Sequence, residues 1–271
     1  MAAIRDTSYL VGGKRPDLSA AQRPLEDEMI NRVKADPQSY IDSYISSNTD
    51  SYGITTFNID NARELFPEYK NYKGYRLTHT ETTTTASSYI AYEAYRQELA
   101  RLEAEGKAGT KVIFTGGMPG AGKSESLRRA SKGFRKVNSV SLVYDSNLAS
   151  FDNADDIIGK ALEHKQRALI MFVYRDPIEA YKASLKRAEE TGRTVRPDEM
   201  IETYLNQPDT MARIISKYGD DPRVQVLFID NNTKIGGGQS DLSQIDPVDF
   251  FKKFTYSKED LTKAFKEVER E

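Results

Sequence analysis

Gly117-Met118-Pro119-Gly120-Ala121-Gly122-Lys123-Ser124 follows the apolar run Val112-Ile113-Phe114 and opens a helix-compatible stretch from Ser124 to Ala130. Its spacing is that of a phosphate-binding P-loop. Glycines let the backbone turn tightly, so that consecutive N–H groups and the positive end of the following helix converge on a polyphosphate. Lys123 is then placed to reach the β- and γ-phosphates, and Ser124 to ligate Mg²⁺. The plainer reading is an ordinary glycine loop between a strand and a helix.

Outward from this loop, strands alternate with helices. Val140–Tyr144 ends in Asp145, a helix is expected near Ala154–His164, and Ala168–Tyr174 and Val224–Ile229 read as strands flanking a helix at Ile178–Glu190. This alternation predicts an α/β fold of P-loop NTPase or kinase type, a parallel sheet with helices on both faces and ligands at the carboxyl ends of the strands. Upstream, Ala20–Lys34 carries Leu25, Met29, Ile30 and Val33 at helical spacing, and Pro37–Ile45 suits a second helix. A strand at Ile54–Ile59 precedes a tyrosine-rich turn (Tyr69, Tyr72, Tyr75) and a long helix from about Thr83 to Gly106, with Ile90, Ala94, Leu99 and Leu102 on its apolar side. The expected organisation is a helical N-terminal extension over 1–50, a core over 51–233 and a C-terminal loop and helix over 234–271, the loop carrying Gly236-Gly237-Gly238.

Composition narrows the chemistry. The chain has 271 residues, 39 basic against 41 acidic side chains, and no cysteine, so disulfides and thiol chemistry are excluded. Two histidines make no His-rich metal site, and any metal is expected to be Mg²⁺ carried with a nucleotide. The near-neutral charge predicts no general attraction to nucleic acid or anionic lipid. The longest apolar run, Ala168–Tyr174, is far shorter than a membrane span, and the N-terminus carries no signal-peptide core. The chain is expected to be cytoplasmic where it acts, with secretion by a route without a cleaved signal staying open.

Three further groupings bear on the chemistry. Asp60, in Asn58-Ile59-Asp60-Asn61-Ala62-Arg63-Glu64-Leu65-Phe66-Pro67, is expected to end a strand, where a carboxylate can accept a proton from a substrate hydroxyl. It equally suits a helix N-cap. Arg187, Arg193 and Arg196 stand at a helix end and in the following loop, either as cations for a transferring phosphoryl group or as a solvated helix terminus with Gly192 as its cap. Val140-Ser141-Leu142-Val143-Tyr144-Asp145 resembles a Walker B strand whose Asp holds Mg²⁺ through water, or ends in a turn Asp before Asn147.

Together these residues resemble the zeta-toxin kinase family. Gly116 to Ser124 looks like that family's P-loop, and Asn58 to Pro67 looks like its Asn-x-Asp-x-x-Arg-x-x-x-Pro segment. His79-Thr80-Glu81 through Ala86-Ser87 resembles its His-containing turn and helix start, and Arg187 with Gly192-Arg193-Thr194-Val195-Arg196-Pro197 resembles its lid arginines. The resemblance covers about residues 54–230. The motif order departs from the family's, since Asp60 precedes Lys123, as in a circular permutation or strand swap. Tyr144-Asp145-Ser146-Asn147 also replaces the family's usual acceptor segment, which opens NAD as an acceptor beside a UDP-amino sugar.

The resemblance implies transfer of the γ-phosphate of ATP or GTP to a hydroxyl of a nucleotide-type metabolite, with toxicity as the outcome. Backbone amides of Gly117, Met118, Pro119 (through its neighbours), Gly120, Ala121, Gly122 and Ser124 would hold the donor, with Lys123 across its β- and γ-phosphates and Arg196 in reserve. Asp60 would be the base, Arg187 and Arg193 would neutralise the phosphoryl group, and Ser124 and Asp145 would serve Mg²⁺. Arg63, His79, Glu81 and Asp145 fall on the acceptor side. A neutralising antitoxin or cognate inhibitor is implied as partner; no membrane is expected, and the near-neutral charge disfavours nucleic acid. The alternatives are a P-loop ATPase or switch read by a partner, a nucleotide-binding module, or a nucleic-acid end kinase.

Overall fold

A computed structural model describes the chain except residues 1–6, 9, 11–14, 48–53, 71–72, 135–139, 233, 236–238, 241–242 and 271. Tyr72 and the Gly236-Gly237-Gly238 turn therefore lie outside the described residues. The chain divides into two compact units, Met1–Lys107 with Glu189–Thr194, and Ala108–Ala188 with Val195–Glu271.

The first unit is mostly helical. Helix α1 (Arg23–Ala35) starts with a proline in its first turn and buries Met29, Ile30 and Val33, while α2 (Pro37–Ser47) buries Ile41 and Tyr44. The short strand β1 (Thr55–Phe57) leads through α3 (Ile59–Arg63), α4 (Pro67–Lys70) and α5 (Lys73–His79) into α6 (Thr84–Ala104), against which α1, α2, α3 and β1 all pack. Helix α6 can serve so many neighbours because Ile90, Ala94, Leu99 and Leu102 are buried along with Tyr89, Ala91 and Tyr95, widening its apolar face beyond a single stripe. Glu26 is buried too, but its Oε1 accepts from Thr85 Oγ1 at 2.8 Å and from the Arg15 N–H at 3.1 Å.

One expectation fails here. The strand stops at Phe57 instead of running to Ile59, so Asp60 does not close it. Asn58 Oδ1 accepts the Asn61 N–H at 2.6 Å and caps α3, which puts Asp60 in the first turn of that helix. The Asn58 backbone is fixed in turn by Tyr44, whose hydroxyl donates to the Asn58 carbonyl and accepts from its N–H, both at 2.9 Å.

The second unit carries the parallel sheet. Strands β2 (Lys111–Gly116), β3 (Val140–Asp145), β4 (Arg167–Tyr174), β5 (Val224–Asp230) and the two-residue β8 (Ser243–Gln244) lie in the order β3-β2-β4-β5-β8. The first four are mutually parallel and β8 is antiparallel to β5. A small ribbon, β6 (Lys234–Ile235) with β7 (Gln239–Ser240), stands apart from this sheet. Beyond its first residue β4 is buried throughout, as is β2, which explains their unbroken apolar runs: a parallel strand covered on both faces has no solvent side to alternate with.

Helices on both faces supply that cover: α7 (Lys123–Phe134), α8 (Phe151–Glu163), α9 (Pro177–Thr191) and α10 (Pro197–Tyr218). The last two elements, α11 (Pro247–Phe251) and α12 (Lys258–Val268), form the C-terminal helical extension. Phe250 of α11 sits among Phe172, Phe228 and Phe254 with ring centroids 4.2–5.1 Å away, which ties the extension to the ends of β4 and β5. Helix α10, with 22 residues, is absent from the sequence-based expectation. Pro197 in its first turn and the acidic Asp198 and Glu199 start it, and it continues through Pro208 because Met200, Tyr204, Met211 and Ile214 are buried along one side.

Candidate functional site

The glycine loop occupies the turn between β2 and α7, at the carboxyl end of a central strand. Gly120 and Gly122 are required by their surroundings. Gly120 has φ +80°, and a Cβ there would stand 2.0 Å from the Ala180 carbonyl oxygen. Gly122 has φ +92°, and its Cβ would stand 2.2 Å from Asn231 Nδ2. The loop is thus pressed onto α9 and the end of β5. Its carbonyls are met from behind: Arg175 Nη1 donates to Gly120 O at 3.0 Å, and Asn231 Nδ2 donates to Ala121 O at 2.6 Å. At its start, the Gly117 N–H donates to Asn147 O at 3.1 Å.

Lys123 opens α7, and its Nζ folds over the loop to donate to Gly117 O at 2.8 Å and Met118 O at 3.3 Å. Burial pushes its ammonium below the ordinary lysine value, the nearby Arg187 pushes it further down, and Asp145 opposes both. These three sequence-predicted residues therefore share one electrostatic neighbourhood within the second unit. Asp145 ends β3 directly beside Thr115 of β2, and Thr115 Oγ1 donates to its carboxylate. Ser124, next to Lys123, is exposed in the first turn of α7. Its hydroxyl, the Asp145 carboxylate and donor phosphates suit Mg²⁺, which takes few protein ligands and keeps several waters. Among the described residues no group of three or more His, Asp or Glu side chains could hold a metal by itself.

The first unit holds the other predicted set. Arg63 Nη1 donates to Asp60 Oδ1 at 2.6 Å and Nη2 to Thr84 Oγ1 at 2.8 Å, while Arg193 pairs with Asp60 Oδ2. Arg193 belongs to this unit because residues 189–194 do. Burial lowers its guanidinium from the ordinary value, which starts so high that the group stays cationic. Arg76, which sequence reasoning did not single out, extends the network by donating to Glu64 Oε2 at 3.1 Å and to Thr191 O at 3.3 Å.

His79 closes α5, its Nδ1 2.8 Å from Thr78 Oγ1, and Glu81 lies in the turn before α6. Arg196 precedes α10, where its Nε donates to Asp198 Oδ1 at 3.0 Å.

Asn231 and Thr115 are the residues that sequence reasoning missed beside the loop. Asn231 follows directly on a strand end, and Thr115 is the polar residue in the apolar run of β2. Those positions are the available signal, since strand ends are where open parallel sheets place ligand contacts.

Residues 137–236 match the model of the Zeta toxin family, so the chain is zeta-toxin-like over the stretch from β3 to β6. The matched stretch includes Asp145, Arg187, Arg193 and Asn231 and begins after the glycine loop. No curated protein matches the sequence. Among solved structures, a chain from the PezAT chromosomal toxin-antitoxin system of Streptococcus pneumoniae is similar at 14% identity and TM-score 0.40, covering 65% of this chain and 96% of that one. A chain of the AvrRxo1-ORF1:-ORF2 complex is similar at 11% identity and TM-score 0.44, covering 73% of this chain and 75% of that one. Among the described residues no helix is long and apolar enough to cross a membrane.

Proposed function

We propose that this zeta-toxin-like chain is a kinase toxin that transfers the γ-phosphate of ATP or GTP to a hydroxyl of a nucleotide-type metabolite, a UDP-amino sugar or NAD. The observation that carries the reading is the loop from Gly117 to Ser124 at the carboxyl end of β2, with Lys123, Asp145 and Arg187 in one electrostatic neighbourhood. A helix N-terminus, converging amides and a lysine are the parts polyphosphate recognition needs. The family match over residues 137–236 supports phosphotransfer in general.

In this scheme the N–H groups of the Gly117–Ser124 loop hold the donor phosphates, apart from those of Gly117 and Ala121, which donate to Asn147 O and Met118 O, and Lys123 leaves its own loop carbonyls to span β and γ. Ser124, and Asp145 through water, would hold Mg²⁺, which would supply charge neutralisation. The acceptor oxygen forms the new P–O bond, the β–γ bridging bond breaks, the nucleoside diphosphate leaves, and the hydroxyl proton passes to Asp60. Arg187 and Arg193 neutralise the transferring group. Arg63 holds the Asp60 carboxylate, His79 and Glu81 serve the acceptor, and Arg196 supplements the donor contacts. A cognate antitoxin or inhibitor that covers the donor loop in the cytoplasm completes the reading.

The test is incubation of wild type and Lys123→Ala with γ-labelled ATP or GTP, Mg²⁺ and a panel of UDP-amino sugars, NAD, nucleosides and oligonucleotides, followed by mass analysis. Gain of one phosphate on a single acceptor, absent with Lys123→Ala, is the expected result. Free phosphate alone would make the chain an ATPase or switch, and intact nucleotide a binding module.

A further inference from the structure

We propose that Asn231 is a positioning residue of the donor site, setting the peptide plane that aims the Gly122 N–H at the donor phosphates. The inference rests on the reading of Gly117–Ser124 as that site. A P-loop amide binds an anion only while its N–H faces inward, so the carbonyl of that same peptide must face outward into protein. In a trans peptide the C=O and the next N–H point in opposite directions, and every peptide among the described residues is trans. A donor that holds Ala121 O from behind therefore turns the Gly122 N–H to the other side. Asn231 Nδ2 is that donor, at 2.6 Å.

Three features favour positioning over simple packing. The Asn231 backbone is anchored independently, its N–H donating to Tyr174 O at 2.8 Å, so the amide reaches the loop from a fixed strand end. The contact is tight, since a Cβ on Gly122 would fall 2.2 Å from Nδ2. Finally, Asn231 is only 7% exposed, yet its Oδ1 has no hydrogen-bond partner among the described residues. Stability alone disfavours a buried amide with an unmet acceptor, and turning the amide over would set Oδ1 against the Ala121 carbonyl instead. The residue is held in an orientation that serves the loop.

The experiment compares wild type, Asn231→Asp, Asn231→Ala and Lys123→Ala by calorimetric binding of MgATP and by thermal melting without nucleotide. Asn231→Asp keeps the size of the side chain and removes its donor. The expected result is MgATP bound about ten-fold more weakly by both Asn231 variants, each still melting in one cooperative transition, below that of wild type. In turnover, the donor KM rises while kcat and the acceptor KM hold. Wild-type affinity in Asn231→Asp, with affinity lost in Lys123→Ala, overturns the inference and leaves the donor site standing. If wild type itself binds no MgATP, or Lys123→Ala binds it equally well, the donor-site reading fails and takes this inference with it.

Discussion

Arg193 pairs with the same carboxylate that Arg63 holds: Asp60 Oδ1 faces Arg63 Nη1 at 2.6 Å and Asp60 Oδ2 faces Arg193 Nη2. In the proposed chemistry Asp60 receives a proton and Arg193 neutralises a phosphoryl group, so neither can perform its part while engaged only with the other. In that proposal Arg193 would exchange a carboxylate for a phosphate. Both groups are anionic oxygen acceptors, so the exchange keeps the guanidinium satisfied.

The pair is a weak contributor to stability. The side chains of Arg193 and Asp60 are 31% and 34% exposed, which places the interaction near the surface range of about 0–1 kcal/mol. Asp60→Asn also takes the charge from the Arg63 pair, whose arginine side chain is only 12% exposed, so it should melt a few degrees below wild type while losing turnover by roughly 10²–10⁴-fold, the usual worth of a general base. Thermal melting beside steady-state kinetics checks this. A loss of activity matched by an equal loss of folded protein would make Asp60 structural.

How much of this was legible in the sequence depends on whether the signal was local. The β2–α7 loop could be read because glycine spacing and the following Lys-Ser are contiguous, and β4 because a strand buried on both faces is apolar without interruption. Asp60 was read as a strand end because Ile54–Ile59 is apolar enough to extend. The cap at Asn58 depends on the Tyr44 hydroxyl, 14 residues away. Helix α10 was lost because Pro208 reads as a breaker and the burial that carries the helix past it is tertiary. The Asn231–Ala121 contact spans 110 residues, and no local pattern encodes it.

Gly120→Ala should be costly in two ways at once. Its φ of +80° strains any L-residue, and the added methyl meets the Ala180 carbonyl at 2.0 Å, a backbone atom that cannot rotate away. The loop must shift off α9, at an expected cost of about 1–3 kcal/mol together with loss of nucleotide binding. Denaturant unfolding and MgATP titration on the same sample measure both. A variant that binds as wild type would show that the loop tolerates a different path.

Donor binding should fall as pH rises, over a window that opens below the ordinary lysine value. Burial and Arg187 lower the Lys123 ammonium, so its neutral form grows in at a lower pH than for an exposed lysine. A bound polyphosphate favours the charged form and draws the proton back. Affinity is thus full on the acid side of the lowered value and declines above it, with proton uptake on binding in that window. Calorimetry in two buffers of different ionisation enthalpy detects the uptake. It should vanish in Lys123→Ala, and uptake that persists there would assign the proton to another group.

Asp145 and Thr115 should act as one unit toward Mg²⁺. They face each other across the parallel β2–β3 pair, and the Thr115 hydroxyl donates to the Asp145 carboxylate, whose other lone pairs would serve the ion's water shell in the proposed chemistry. Thr115→Val keeps the shape of the side chain and removes the donor, so the carboxylate stays but loses its orientation. The Mg²⁺ concentration for half-maximal turnover should rise by roughly 10–100-fold in Thr115→Val and further in Asp145→Asn, in keeping with a charge-assisted hydrogen bond of about 1.5–3 kcal/mol. Because the threonine works through the aspartate, the double variant should match Asp145→Asn instead of summing the two effects. Additive losses would mean that Thr115 touches the metal or the nucleotide by a route of its own.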